Sequence, residues 1–280
     1  MMDQSKQISK ESKSSFYYAF SLLPPEKRDA MNTVYAFCRR TDDIVDNEHD
    51  SEQHKFDKLT KWRIELEKSL VGSSEYNLFN KLATIIQQFN IPLEPFFELI
   101  KGMEMDIQQN RYSGLDDLLK YCYRVASTVG LMCIEIFGYK NQSAKNYAVN
   151  LGVAMQLTNI LRDVKKDALQ GRIYIPQNDM KHFNYSESDL NNNLYNENFV
   201  SLMKHEGEIA KQYFQRANDS LCFEDKPSMF AARAMQHIYY KLLKRLETQN
   251  YDVLNRDINV SKVEKVSIAV GVWAKYNLVY

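Results

Sequence analysis

The sequence predicts an all-α protein, and three observations carry that reading. Glycine and proline are scarce, at 9 and 6 of 280 residues, which leaves room for long helices. Apolar residues recur at three- and four-residue steps through most of the chain, not at alternate positions. The Gly, Pro and Asn clusters fall mostly between those stretches.

Taken in order, Pro24-Pro25 opens a helix from about Glu26 to Val45, with proline suited to a first turn. The charged stretch Asn47 to His54 reads as a loop. Helical spacing follows at Phe56–Leu70 and Glu75–Phe89, and Asn90-Ile91-Pro92 separates these from Glu94–Asn110. Ser113-Gly114-Leu115-Asp116 is a turn and cap into a long segment reaching Phe137, which Gly138 can close. A further long helix runs from Ser143 to about Ala168 and ends at Gly171. Arg172–Pro176 is a short extended piece, and the Asn-rich stretch Ser186–Asn198 is a short helix or loop. Helical patterns then cover Phe199–Cys222, Ser228–Thr248 and Ser261–Tyr276. No linker or repeat divides the chain. One domain over residues 1–280 is expected, with roughly ten helices and a disordered N-terminus over 1–11.

Lys plus Arg and Asp plus Glu are both 36, so the formal charge is zero and no global field attracts nucleic acid. Any charge-based function must come from local clusters. Cys38, Cys122, Cys133 and Cys222 form no C-x-x-C pair and sit in apolar helical stretches, as reduced thiols of a cytoplasmic protein do. The polar N-terminus resembles no signal peptide, and no apolar run approaches the roughly eighteen residues of a membrane span.

Two clusters stand out. In Tyr35-Ala36-Phe37-Cys38-Arg39-Arg40-Thr41-Asp42-Asp43-Ile44-Val45-Asp46, a helix places Tyr35, Arg39, Asp42 and Asp46 within about 60° of one another, with Asp43 at the edge. Phe37, Ile44 and Val45 lie opposite. Crowded carboxylates repel and call for a positive partner. Arg39 supplies part of it; a hard cation such as Mg²⁺, which shares carboxylates with substrate phosphates, supplies more. The bland alternative is an exposed acidic helix end. Against it, acids at a helix C-terminus oppose the dipole, a conflict that a cation relieves.

The second cluster is Gln156, Asn159, Asp163 and Asp167, a polar stripe about 80° wide on a helix. Leu151, Val153, Leu157, Ile160, Leu161 and Val164 flank it. A plain solvent face would favour Lys and Glu over Gln and Asn between so many apolar neighbours. Oxygens at this spacing can share a hard cation or its waters.

Together these residues resemble the squalene/phytoene synthase family, the head-to-head trans-isoprenyl diphosphate synthases, and bacterial members in particular. The matching stretches are Ser15-Phe16, Tyr35 to Asp46, Gly102-Met103-Glu104-Met105-Asp106 and Tyr121 to Gly130. The strongest is Gln156-x-x-Asn159-Ile160-Leu161-Arg162-Asp163-x-x-x-Asp167, followed by Gly171-Arg172-x-Tyr174-x-Pro176. The likeness runs from about Ser12 to Tyr251.

The resemblance implies an all-α isoprenoid synthase fold around a deep apolar pocket. It implies that Asp42, Asp43, Asp46, Asn159, Asp163 and Asp167 serve metal, with Mg²⁺ expected and Mn²⁺ an alternative. Tyr35, Arg39, Tyr121, Gln156, Arg162, Arg172 and Tyr174 are the expected catalytic residues. Ser15, Phe16, Phe20, Gly130 and Gly152, with Asp42, Asn159 and Asp163, are the expected substrate contacts. The two glycines interrupt helical stretches at about 1 kcal/mol each, for close helix packing, a bare wall beside a prenyl chain, or both. Asp106 fits the pattern without a derived role; a structural pairing with a nearby base is the competing reading. Arg172–Pro176 could act as a flap over the diphosphates.

The expected reaction joins two prenyl diphosphates, most simply two farnesyl diphosphates, through a cyclopropyl (presqualene) diphosphate to a C30 squalene or dehydrosqualene product. Stopping at the cyclopropyl stage, or forming phytoene from geranylgeranyl diphosphate, are the alternatives, and NADPH dependence is open. Membrane contact, if any, would be peripheral, at the inner face, for product release; oligomeric state is not legible. Head-to-tail elongases carry a second D-D-x-x-D, and terpene cyclases an N-x-x-x-[ST]-x-x-x-E; Asn159-x-x-x-Asp163-x-x-x-Asp167 matches neither. A non-catalytic helical scaffold has no need of two acidic stripes on apolar helices.

Overall fold

A computed structural model describes residues 19–278; the expectations for residues 1–11, Ser15 and Phe16 lie outside this range. The described residues form helices α1 (Pro25–Asp46), α2 (Glu52–Leu70), α3 (Asn77–Phe89), α4 (Glu94–Gln108), α5 (Leu115–Cys122), α6 (Thr128–Phe137) and α7 (Ser143–Leu169). After these come α8 (Gln177–His182), α9 (Glu187–Asn191), α10 (Glu197–Ser220), α11 (Phe230–Thr248) and α12 (Lys262–Leu278). Among the described residues the one β pairing is an isolated parallel bridge between Arg111 and Ile173. The all-α expectation holds.

Helix ends follow local chemistry. Pro25 occupies the first turn of α1. Ser51 caps α2 by accepting from His54 N, Ser186 and Asp189 form a capping box on α9, and Asn196 caps α10. Each satisfies an N–H that the helix leaves orphaned. Gly138 and Gly171, both at φ +77°, follow α6 and α7 where the chain must turn left-handed. Most of the expected boundaries shift by one to four residues, as fraying ends do.

One difference is larger. The stretch Leu115–Phe137 is not one regular helix: Tyr123–Ser127 forms a π-helical turn between α5 and α6. Two glycines receive it. A Cβ on Gly152 of α7 would lie 2.5 Å from Ser127 Cα, and one on Gly102 of α4 would lie 2.8 Å from Val125 Cγ1. Gly152 therefore serves packing first, although it also borders the cavity. Gly130 packs similarly: a Cβ there would lie 2.9 Å from Ala148 O.

Helices α1, α4, α6, α7 and α11 surround the interior, with α7 packed against α6, α10, α11 and the π turn. An aromatic cluster fixes the back of α1. Phe37 meets Phe96 edge-on at 5.4 Å, Trp62 meets Phe79 at 4.5 Å, and Trp62 Nε1 donates to Thr41 Oγ1 at 2.9 Å. Burying Phe37 and Val45 there leaves the Asp42 and Asp46 side of α1 facing inward. The four cysteines are free.

Candidate active site

The interior holds a cavity of about 520 Å³. Its α1 wall runs from Met31 to Asp46, fifteen residues at about 1.5 Å each, so about 22 Å. Along that wall Met31 and Val34 give way to Tyr35 and Arg39, then to Asp42 and Asp46. The α7 wall repeats the gradient, from Tyr147, Ala148 and Leu151 through Gln156 and Asn159 to Asp163 and Asp167. One end is therefore apolar and the other acidic.

Most of the sequence-predicted residues meet in this cavity. Phe20, Tyr35, Arg39, Asp42, Asp46, Tyr121, Gly130 and Gly152 line it, as do Gln156, Asn159, Arg162, Asp163, Asp167, Arg172 and Tyr174. Asp43 does not. It points to a separate surface groove with Arg40, Asn47 and Lys58, its Oδ1 2.8 Å from Arg39 Nη2.

The acids are held by guanidinium groups. Arg39 Nη1 lies 2.8 Å from Asp42 Oδ2, and Arg162 pairs with Asp163 through two nitrogens, Nε to Oδ1 at 2.9 Å. Arg172 Nη1 reaches Asp46 Oδ1 at 3.4 Å, so the second motif's sequel ties back to the first motif. These cations do not fully neutralise the mouth. Removal from water, then the neighbouring Asp46, pushes the Asp42 carboxyl up to about 7. Removal from water, then Asp163, pushes Asp167 up to about 7.

Asp106 has acquired a definite setting. It accepts from Tyr174 OH at 2.7 Å and from Tyr121 OH at 2.9 Å. Tyr112, Tyr121 and Tyr174 stack with centroids 5.0–5.7 Å apart. Its hydrogen-bond partners are therefore phenols, not the base that a structural pairing would supply. Burial pushes Asp106 up and both phenols well up, so Tyr121 and Tyr174 stay protonated and donate.

Arg172–Pro176 is not a loose flap. Ile173 N bonds Asn110 O at 3.0 Å, and Gln177 N bonds Tyr112 O at 2.9 Å. Arg111 donates to Gly171 O at 2.7 Å while gripping Glu187 with Nε and Nη2. Ile173, Tyr174, Ile175 and Pro176 are buried. The segment is a fixed wall that presents Arg172 and Tyr174.

The sequence predicts the helix α11 but not its place in the site. Ala231, Ala232, Met235 and Tyr239 complete the cavity, and Tyr239 interacts with Asn159 and Arg162. Their four-residue spacing was visible but is indistinguishable from an ordinary core stripe.

A hard divalent cation fits this donor set. Asn159 Oδ1 is buried and has no hydrogen-bond partner, an unsatisfied oxygen beside Asp163 and Asp167 of the kind that costs free energy until a ligand meets it. The acidic mouth over an apolar shaft then suits a molecule with an anionic head and a hydrocarbon tail.

Comparison with known proteins gives the family. The squalene/phytoene synthase family profile matches residues 9–264. The chain belongs to the squalene/phytoene synthase family. It is 35% identical over 266 residues to the 15-cis-phytoene synthase of Synechococcus elongatus, covering 91% of this chain and 86% of that protein. It is 33% identical to the 15-cis-phytoene synthase of Synechocystis, covering 96% and 83%. A crystal structure of a dehydrosqualene synthase superposes with TM-score 0.86 at 30% identity, covering 99% of this chain and 96% of that one. A squalene synthase from Alicyclobacillus acidocaldarius shares the fold at TM-score 0.78 and 23% identity, covering 88% and 94%. The isoprenoid synthase fold is thus established, and the chain is a prenyltransferase of head-to-head condensation. Among the described residues no helix is long and apolar enough to cross a membrane.

Proposed function

We propose that this squalene/phytoene synthase family member joins two farnesyl (C15) diphosphates, with Mg²⁺ as its ion, through a cyclopropyl (presqualene) diphosphate toward a C30 product. The polarity gradient of the cavity carries the reading: acids from two helices at one end, and Phe20, Phe137 and Tyr147 among the residues that bound it. On this reading those aromatic rings would act as the stop that selects C15 over C20.

In this reading Asp42, Asp46, Asn159, Asp163 and Asp167 hold the cation. Bound Mg²⁺ supplies charge that stabilises the departing diphosphate. Arg39, Arg162 and Arg172 orient diphosphate oxygens and keep the aspartates in place. The allylic C–O bond breaks, the double bond of the second substrate forms the new C–C bond, and ring closure releases a proton. Tyr121 and Tyr174 hold their protons toward Asp106, so a diphosphate oxygen is the base that takes it. Val125, Val129 and Met155 exclude water from the cationic stage, while Tyr35, Gln156 and the tyrosine stack face the reacting carbons. The chain acts as one catalytic domain, and product leaves at the inner face of the membrane through peripheral contact.

The similarity to two phytoene synthases favours a second reading, in which two C20 substrates give phytoene. One assay separates them: purified protein, Mg²⁺, C15 or C20 diphosphate, with and without NADPH, and mass spectrometry of products. C15 consumption to the cyclopropyl diphosphate or a C30 hydrocarbon is expected, and the NADPH arms report whether a reduced product forms. Turnover of C20 alone would overturn the C15 assignment. Absence of magnesium-dependent turnover with either would overturn the whole reading.

A further inference from the structure

Away from the cavity, α8 carries Asp179 and α10 carries the adjacent pair His205-Glu206. One donor atom from each lies within 4.8 Å of the other two, with His205 Nε2 3.9 Å from Asp179 Oδ1. None of the three lines the cavity, so the catalytic chemistry does not account for them.

Glu206 is the telling member. It is 2% exposed, and its Oε1 is buried with no hydrogen-bond partner. Burial, then the charge of the facing Asp179 and a side-chain hydrogen bond with it, raises its carboxyl to about 8. A buried carboxyl with an orphaned oxygen, aimed at a second carboxylate, is a costly arrangement unless something positive joins it. His205 flanks the pair with its side chain 44% exposed, leaving an approach from solvent.

The donor chemistry differs from that of the cavity mouth. One imidazole and two carboxylates form the nitrogen-and-oxygen set favoured by zinc and similar transition-metal ions, whereas magnesium selects oxygen alone. Tetrahedral ligands at about 2.1 Å from zinc stand about 3.4 Å apart, so modest rotation of the exposed imidazole closes the set. We propose that Asp179, His205 and Glu206 form a second divalent-cation site, of zinc type, that clips α8 to α10.

The clip has a structural consequence. Helix α8 follows directly on Arg172–Pro176, and α10 packs along α7, the helix bearing Asn159, Asp163 and Asp167. A metal here would fasten the wall presenting Arg172 and Tyr174 to the helix behind the second acidic face.

The test titrates full-length protein with Zn²⁺ against a chromophoric chelator in excess Mg²⁺, with Co²⁺ absorption as a spectroscopic readout. One zinc equivalent that magnesium does not displace is expected, retained in Asp163→Asn. His205→Ala and Glu206→Gln should each weaken it by at least about 100-fold, beyond the ~10–100-fold cost of losing an outer-shell partner. Removing an exposed imidazole does not threaten folding, so His205→Ala should keep magnesium-dependent turnover at the wild-type level. Equal zinc uptake in wild type and His205→Ala would overturn the proposal. So would no uptake by wild type with unchanged melting of Glu206→Gln, which would mark the cluster as a proton-sharing carboxyl pair.

Discussion

The two acidic faces present the same kind of side chain with different degrees of enclosure. On α1, Asp42, Asp43 and Asp46 keep 41%, 42% and 45% of their side chains exposed, and Arg39 alone contacts two of them. On α7, Asp163 is 23% exposed and gripped by Arg162, itself 26% exposed, and Asn159 presents a buried oxygen with no partner. The first face is an open, adjustable mouth and the second is preorganised. Charges in the drier site interact more strongly and reorganise less during reaction.

Replacing one acid on each face gives the sharpest contrast. Asp163→Asn is expected to lower kcat/KM by about 10³-fold, the scale of losing one preorganised electrostatic contact, with little change in thermal unfolding. Asp43→Asn, whose carboxylate faces outward, should cost less than about tenfold, the scale of an exposed ion pair. Steady-state kinetics on both variants checks this, and equal losses would erase the distinction between the faces.

The tyrosine-bound Asp106 lies between the two. Tyr174→Phe removes one hydrogen bond to a buried carboxylate, worth about 1.5–3 kcal/mol, so a loss of about 10–100-fold in kcat/KM is expected. Wild-type kinetics in that variant would reduce Asp106 to packing.

Stability distinguishes the helices too. Gly152→Ala drives a methyl against Ser127 and should destabilise the fold by about 1–3 kcal/mol in urea unfolding. Gly171→Ala meets open space but sits at φ +77°, so its cost is conformational, about 1 kcal/mol.

The smallest expected effect concerns pH. In the metal-free protein Asp42 and Asp167 are raised from 3.8 to about 7, above their unfolded values. Their contribution to stability is full below about pH 4 and is lost as pH rises through about 7. A cation recovers what ionisation costs, so Mg²⁺ should raise the melting temperature more at about pH 8 than at about pH 5.5, by on the order of a few °C. Differential scanning fluorimetry with and without Mg²⁺ reads it.

Much of this was legible in the sequence because charged residues have few reasons to lie between apolar neighbours. Asp42, Asp46, Asn159, Asp163 and Asp167 announced themselves by phase on a helix, and Gly138 and Gly171 by their place at helix ends. Asp43 could not be sorted from its neighbours, since a residue at the edge of a stripe turns either way. Tyr239 and Met235 were invisible because a cavity wall and a core stripe share one spacing. The partners of Asp106 lie on α5 and after α7, and only tertiary packing brings Tyr121 and Tyr174 together. The π turn is not legible because Tyr121–Phe137 carries no residue that announces a change of pitch.

That wide turn sets the rotational phase of one wall of the cavity. Tyr121, Val125, Val129, Cys133 and Phe137 all border the cavity at intervals of four. In an unbroken α-helix each such step drifts about 40°, and four steps carry Phe137 about 160° from Tyr121, to the opposite side. One extra residue in the coil takes back about a residue's worth of rotation, and the five stay aligned. Deleting a single residue between Tyr123 and Ser127 would remove the turn and keep that phase, whereas winding the full stretch into a regular α-helix would swing Phe137 about 160° out of the shaft. The chain's reading frame of side chains, as much as their identity, keeps the tunnel greasy from mouth to end.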